Sequence, residues 1–384
     1  MKNWKLTFFT IALMGSFVFC LNAQNRKPYI IGYVASWKGV DPEKIPAEKL
    51  THLNYAFANV ENGVVTSGKG LAERDSLNFI LLQQLKKRNP DLKILVSIGG
   101  WTWSKGFSDA VLTEESREKL TRSGIDFLIK HQLDGLDFDW EYPAWPGDNN
   151  PVRPEDRENF VAMLKSFREA LDSLGNLQDK HYLSTIASGG FRQYLEVNDL
   201  RTAQQYLDFI NIMAYDLFGA GDRITGHHAN LFNGEEHLVP EKKKGRSADS
   251  AVLEHIEFGV PAEKIVLGVP FYGKRWKNVE AGETLGRYQS GEFDKSMPYA
   301  QIKELLKDDS YQRHWDSQAQ NPFLFAPTAN YWVTYEDEQS MAVKMNYILK
   351  KGLAGAMFWE LSEDPEGTLL ETMFQALNPQ NGSK

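Results

Sequence analysis

The chain has 384 residues, of which 42 % are hydrophobic, a formal charge of -8 and a single cysteine. That length holds one large α/β domain with an insertion, or two ordinary domains. The negative balance argues against a nucleic-acid partner, and the lysine run 242–244, between Glu241 and Gly245, reads as a solvated turn.

Residues 1–23 begin with Lys2 and Lys5, run mainly apolar from Leu6 to Leu21 and close on Asn22 and Ala23. A basic start, a short apolar stretch and a small final residue have the form of a secretory signal peptide, and the stretch is short for a membrane span. Cleavage is expected after Ala23, with export to the periplasm or the exterior. Bulky Phe19 disfavours lipid anchoring at Cys20. The mature chain, 24–384, would have no thiol, and a fold of this size needs no disulfide.

Eight short β-type runs follow, at 29–36, 52–60, 93–100, 133–142, 182–190, 209–217, 264–272 and 353–361. Segments with helical character lie between them: one after Asp75, one after Thr113, and one opening at Pro154. Asp75 and Thr113 suit N-caps, and Pro154 suits a first helical turn. Eight strands alternating with helices is the count of an α/β fold of the (β/α)8 TIM-barrel type, although a doubly wound open sheet has a similar rhythm. About 80 residues separate the seventh run from the eighth, more than one crossover needs. The last part of that gap, EDEQSMAVKMNYILKKG, is the crossover helix. The remainder, 274–334, reads as a small α+β insertion between strand 7 and helix 7 that would wall one side of a site at the barrel rim.

The fourth run contains DGLDFDWEY, in which Asp137, Asp139 and Glu141 alternate with Leu136, Phe138 and Trp140. Alternation puts the three acids on one face and the apolar residues on the other. A solvated edge strand would not carry Leu, Phe and Trp on its second face in so apolar a context. Like charges crowded in a partly desolvated place raise one another's pKa, which points to acid/base chemistry or a metal site. In a barrel, the acids would point inward and Glu141 would emerge at the C-terminal rim, where catalytic groups gather. Other run ends carry Tyr33 with Trp37, Phe57, Trp101 with Trp103, Tyr215, Tyr272 and Trp359. Aromatic rings there can stack on the apolar faces of sugar rings.

These residues resemble a family. DGLDFDWEY fits the DxxDxDxE signature of family 18 glycoside hydrolases, the chitinase family, through Asp134, Asp137, Asp139 and Glu141. SIGGW at 97–101 and MAYD at 213–216 resemble its third- and sixth-strand motifs. GYVASW, NYAFA, GVPFYG and GAMFWELSED resemble its first, second, seventh and eighth. The resemblance implies substrate-assisted retaining hydrolysis of β-1,4 linkages between N-acetylglucosamine units. Glu141 would be the acid, Asp139 would orient the acetamido group, Asp137 would hold the shared proton, and Tyr215 would bond the acetamido oxygen. Asp216 would line the cleft and Trp359 would form its floor. Tyr33, Trp37, Phe57, Gly100, Trp101, Met213 and Tyr272 would bind substrate. Lys274 stands where many members have Arg, which leaves the polar contact there open.

The implied ligand is chitin or its oligosaccharides, taken by a monomer with no cofactor, metal or membrane span. Four other enzyme or binding readings remain. A two-carboxylate glycosidase would use Glu360, whose parity turns it toward the helices if Trp359 faces the pocket. A metal enzyme would use Asp137, Asp139 and His227 or His228, two loop histidines that read more simply as surface residues. An endo-β-N-acetylglucosaminidase acting on N-glycans would share the acid motif, whereas a lectin-like oligosaccharide-binding protein would lack the acid.

Overall fold

The computed structural model describes residues 27–235 and 237–379; the expected leader lies outside them. All eight runs form strands: Tyr29–Ala35, His52–Glu61, Lys93–Gly99, Gly135–Asp139, Leu183–Gly189, Phe209–Met213, Ile265–Pro270 and Gly355–Trp359. They pair in parallel in chain order, and the first strand bonds to both the second and the eighth, so the sheet closes into a barrel. Closure decides against the open sheet.

The barrel packs through the parity seen in the sequence. On the fourth strand Leu136, Phe138 and Trp140 face outward: Phe138 meets Phe167, and Trp140 stacks on Phe107 at 5.2 Å. Phe167 belongs to the helix Asp156–Gln178. Burying such rings contributes about 1.5–3 kcal/mol each, so the outward face anchors the strand and commits the acids to the interior.

Helix entry differs from expectation at two of three places. Thr113 does cap Glu114–Lys130, in a reciprocal capping box with Ser116. Asp75, however, lies inside the helix Ala72–Gln84, where its buried carboxylate accepts from Tyr55 at 2.6 Å and from Arg74 at 2.7 Å. A tertiary partner took the side chain that a cap would have used. Pro154 precedes the helix Asp156–Gln178 by two residues instead of opening it.

Between the seventh strand and the helix Glu338–Lys351 lies a five-stranded antiparallel sheet. Its strands, in spatial order, are Glu292–Pro298, Tyr272–Lys277, Tyr331–Thr334, Asn321–Ala326 and Gln312–Asp316, with the helix Tyr299–Leu305 between two of them. The sheet starts at Tyr272, two residues before the expected boundary, because the chain leaves the barrel at Pro270 and pairs again at once. The loop after the sixth strand leans on this sheet: Thr225 N–H donates to Gln289 O at 2.9 Å and Leu231 N–H to Ala319 O at 3.1 Å.

The run 242–244 is not wholly solvated. Lys243 reaches inward, donating to Leu217 O and Asp222 at 2.8 Å each. His227 and His228 are buried and not at the surface. His227 lies between Asp316 and Asn321, each at 3.2 Å, and His228 packs on Tyr272. Among the described residues no group of three or more His, Cys, Asp or Glu is arranged to hold a metal ion, and no helix is long and apolar enough to cross a membrane.

Candidate active site

Strand register explains how the acids are held. Asp137 stands level with Ser97 on the third strand and Thr185 on the fifth. Its Oδ2 accepts from Tyr33 at 2.7 Å and Ser97 at 2.8 Å; its Oδ1 accepts from Thr185 at 2.6 Å and Asn211 at 3.2 Å. Burial pushes its pKa up and these four neutral donors oppose the rise. One level higher, Asp139 is opposite Gly99, which has no side chain to donate. Its buried Oδ1 has no hydrogen-bond partner. Burial, then repulsion from Glu141 and Asp137, holds Asp139 well above the usual carboxylate range.

Glu141 follows the strand and is half-buried in a cleft of about 610 Å³. Burial pushes it up to about 7; a bond from Tyr142 opposes the shift and the Asp216 charge adds to it. The like charge expected from Asp139 is present as repulsion between the two carboxyls, and Asp216 adds a second. Asp216 itself is held well below the usual range: its surroundings would raise it, but His228 and the Lys274 ammonium outweigh them. The Asp216 carboxylate sits 2.7 Å from Lys274 and accepts from Tyr272 at 2.5 Å. Tyr215 stays protonated, its pKa raised by burial and the neighbouring acids, and so remains a donor.

Aromatic rings build the cleft floor and one wall. Phe57 stacks on Trp359 at 5.5 Å and 17°, and Trp37 lies 6.4 Å from Phe57 and 6.2 Å from Trp359. Trp37 and Trp101 are 55 % and 51 % exposed, so their faces are free to receive a ring. Met213, Tyr215, Tyr272 and Asp216 also line the cleft. Glu360 does not: it is buried, and its carboxylate accepts from Ser362 N–H at 3.0 Å and Ser362 Oγ at 2.5 Å.

A closed eight-stranded barrel with this acid ladder at its mouth is joined by a direct sequence match: the profile of glycosyl hydrolases family 18 covers residues 29–364. The chain belongs to that family. It is 35 % identical over 402 residues to chitinase A1 of Niallia circulans, covering 88 % of this chain and 57 % of that protein, so it spans little more than half the relative's length. Among solved structures, a chitinase from Bacillus thuringiensis superposes with a TM-score of 0.86 at 32 % identity, covering 92 % of this chain and 70 % of that one. A family 18 N-acetylglucosaminidase from Paenibacillus barengoltzii superposes at 0.80 with 35 % identity, covering 91 % and 99 %.

In this family 18 chain three residues expected to touch substrate stand one layer back. Tyr33 is buried and its hydroxyl is spent on Asp137. Gly100 supports Phe57: at φ +79° a side chain is strained, and a Cβ would lie 2.7 Å from that ring. Lys274 is buried behind Asp216, and Gly219 leaves it room, since a Cβ there would meet Nζ at 2.5 Å. The contact left open at Lys274 is thus an ion pair with Asp216. Asp134 belongs to the barrel floor, bonding Lys86 at 2.6 Å, Lys180 at 2.9 Å and Ile94 N–H at 2.8 Å.

Other cleft residues escaped the sequence reading. Tyr142, Phe191 and Arg246 line it, and Ser104 sits beneath, accepting from Glu141 N–H at 2.9 Å and lying 2.9 Å from Gly100 O. Tyr142 adjoins the acid and Ser104 follows the WTW run, so adjacency was a usable signal. Phe191 and Arg246 carry no motif. The wall expected from the insertion is shared: the sheet brings Tyr272 to the cleft, and the loop after the sixth strand brings Leu217 and Arg246.

Proposed function

We propose that this protein is a chitinase that hydrolyses β-1,4 bonds between N-acetylglucosamine units with retention, using the substrate's acetamido group as nucleophile. The observation that carries the reading is the lack of a free carboxylate opposite Glu141 among the described residues. Glu360 is turned out of the cleft, and the Asp216 carboxylate is committed to Tyr272 and Lys274. The nucleophile then has to come with the sugar.

Glu141, held protonated up to about pH 7, donates to the glycosidic oxygen and afterwards takes a proton from water. The sugar sits on Trp359. Tyr215 donates to its acetamido oxygen, and Asp139 bonds the acetamido nitrogen as positive charge develops there. Asp137 was expected to hold the proton of the pair. Its four donors suit it better to the anion at rest, so the resting proton belongs on Asp139, which has none; that proton passes to Asp137 as the acetamido nitrogen turns positive, which leaves Asp139 the anion there. Trp37, Phe57 and Trp101 supply stacking surface for neighbouring rings, which favours chain-like substrates. The leader expected over residues 1–23 would export the enzyme to the periplasm or the exterior, to act there as a monomer.

A second reading is favoured by the likeness to the N-acetylglucosaminidase: removal of single units from chain ends. Digestion of a labelled N-acetylglucosamine hexamer separates the two. Dimers and trimers as first products support the chitinase reading, whereas monomer released from the outset supports the second. Efficient cleavage of cello-oligosaccharides, which lack the acetamido group, would overturn substrate assistance.

A further inference from the structure

The loop after the sixth strand ends at Arg246, immediately before Ser247, which caps the helix Ala248–Glu257. Asn230 pins the backbone there by donating to Arg246 O at 3.1 Å. The side chain is half-buried and lines the catalytic cleft beside Leu217. Nearby carboxylates are already committed: Asp222 accepts from Lys243 at 2.8 Å and Gly219 N–H at 2.9 Å, and Asp216 is held by Lys274 and Tyr272. Among the described residues Arg246 makes no ion pair, and burial pushes its pKa down against the pull of Asp222. A guanidinium kept partly out of water without a counter-charge costs stability, and its five donors remain to be used.

Its position says what meets it. Arg246 lines the same cleft as Phe57, Trp37 and Trp359. A chain stacked on those aromatics would pass within the cleft that the Arg246 guanidinium also lines. An N-acetylglucosamine unit brings a neutral acetamido carbonyl, which accepts from the guanidinium. A glucosamine unit brings an ammonium, which repels the guanidinium and offers no acceptor.

We propose that Arg246 is a specificity-determining residue that admits N-acetylated units and rejects glucosamine units at a subsite adjoining the one over Trp359. The proposal rests on the chitinase reading, and the test keeps the two apart. Partially N-acetylated chitosan is digested by the wild type, Arg246→Gln, Arg246→Lys and Arg246→Glu, and both ends of the products are sequenced by mass spectrometry. The new reducing end should be N-acetylated with all four, because the mechanism needs it there; glucosamine at that end would overturn the mechanism. The wild type should also exclude glucosamine from one further position flanking the cut. Arg246→Gln should raise glucosamine at that position roughly fivefold, the scale of one screened charge interaction. Arg246→Glu should raise it further, and Arg246→Lys should keep the exclusion. An end pattern that is the same in the wild type, Gln and Glu enzymes overturns the role of Arg246, and so does a Lys enzyme that behaves like Gln.

Discussion

Beneath the insertion, buried charges meet opposite charges. Lys344 and Glu336, both almost fully enclosed, are ion-paired, and the Lys344 ammonium also bonds Ala229 O. Asp316 is held by Arg287 at 2.5 Å with His227 alongside, and Asp337 by Arg313 at 2.6 Å. At the barrel mouth the opposite holds: Asp137, Asp139 and Glu141 are stacked with like charges and find only neutral donors, or none. Both regions desolvate carboxylates, so burial does not separate a structural cluster from a reactive one. Neutralisation does. Paired charges are held in fixed geometry, whereas Glu141, raised to about 7 with no cation beside it among the described residues, can hold a proton near neutrality and exchange it with a substrate.

Breaking each cluster should therefore have opposite consequences. Removing the acid in Glu141→Gln should lower kcat by about a thousandfold, within the range for a positioned general acid, while the melting temperature stays level or rises. Steady-state rates and calorimetry on one preparation check it; a variant that retains turnover, or that unfolds readily, contradicts the contrast. Removing the cation in Lys344→Met should cost about 3–5 kcal/mol of stability by stranding Glu336, with activity of the folded enzyme retained. Most of that loss should return in the double variant Lys344→Met, Glu336→Leu, measured by denaturant unfolding. If the single variant loses nothing, the pair does not hold the insertion in place.

A smaller effect is expected at the floor. Trp359→Ala should reduce kcat/KM by about tenfold through lost stacking, since Phe57 and Trp37 remain to hold the chain. Unchanged kinetics would remove Trp359 from the sugar's path. The subtlest test is pH. Glu141 is raised from its ordinary value to about 7, so the folded protein binds that proton more tightly than the unfolded chain. Stability from this group is full below the unfolded value, near 4.5, and is lost as pH rises through about 7. Catalysis needing a protonated acid should fall over the same upper limb. Comparing wild type with Glu141→Gln, the stability difference should favour the variant more at pH 8 than at pH 4; a pH-independent difference would mean that the acid is not perturbed.

Much of the architecture was legible because it is periodic. The eight strands coincide with eight apolar runs, and the two-residue alternation in DGLDFDWEY placed Phe138 and Trp140 among the helices and the acids within the barrel. Glu360 was also readable by parity. Side chains whose partners come from distant segments were not. Asp75 looked like a cap until Tyr55 and Arg74 claimed it, Tyr33 looked like a sugar platform until its hydroxyl went to Asp137, and His227 and His228 looked exposed until the insertion covered them.

What the sequence determined by itself is the order of strands, the face each residue takes along them, and the set of chemical groups at the barrel's C-terminal rim, all of which follow from local periodicity. Only the tertiary structure decided which of those groups are neutralised. Asp137 gains four donors because its register meets Ser97 and Thr185, and Asp139 gains none from Gly99 one level above. Asp216 finds Lys274 across strands, while Arg246 arrives at the cleft through a loop braced on the insertion. Pairing depends on distances between segments far apart in the chain, and those distances exist only once the barrel has closed.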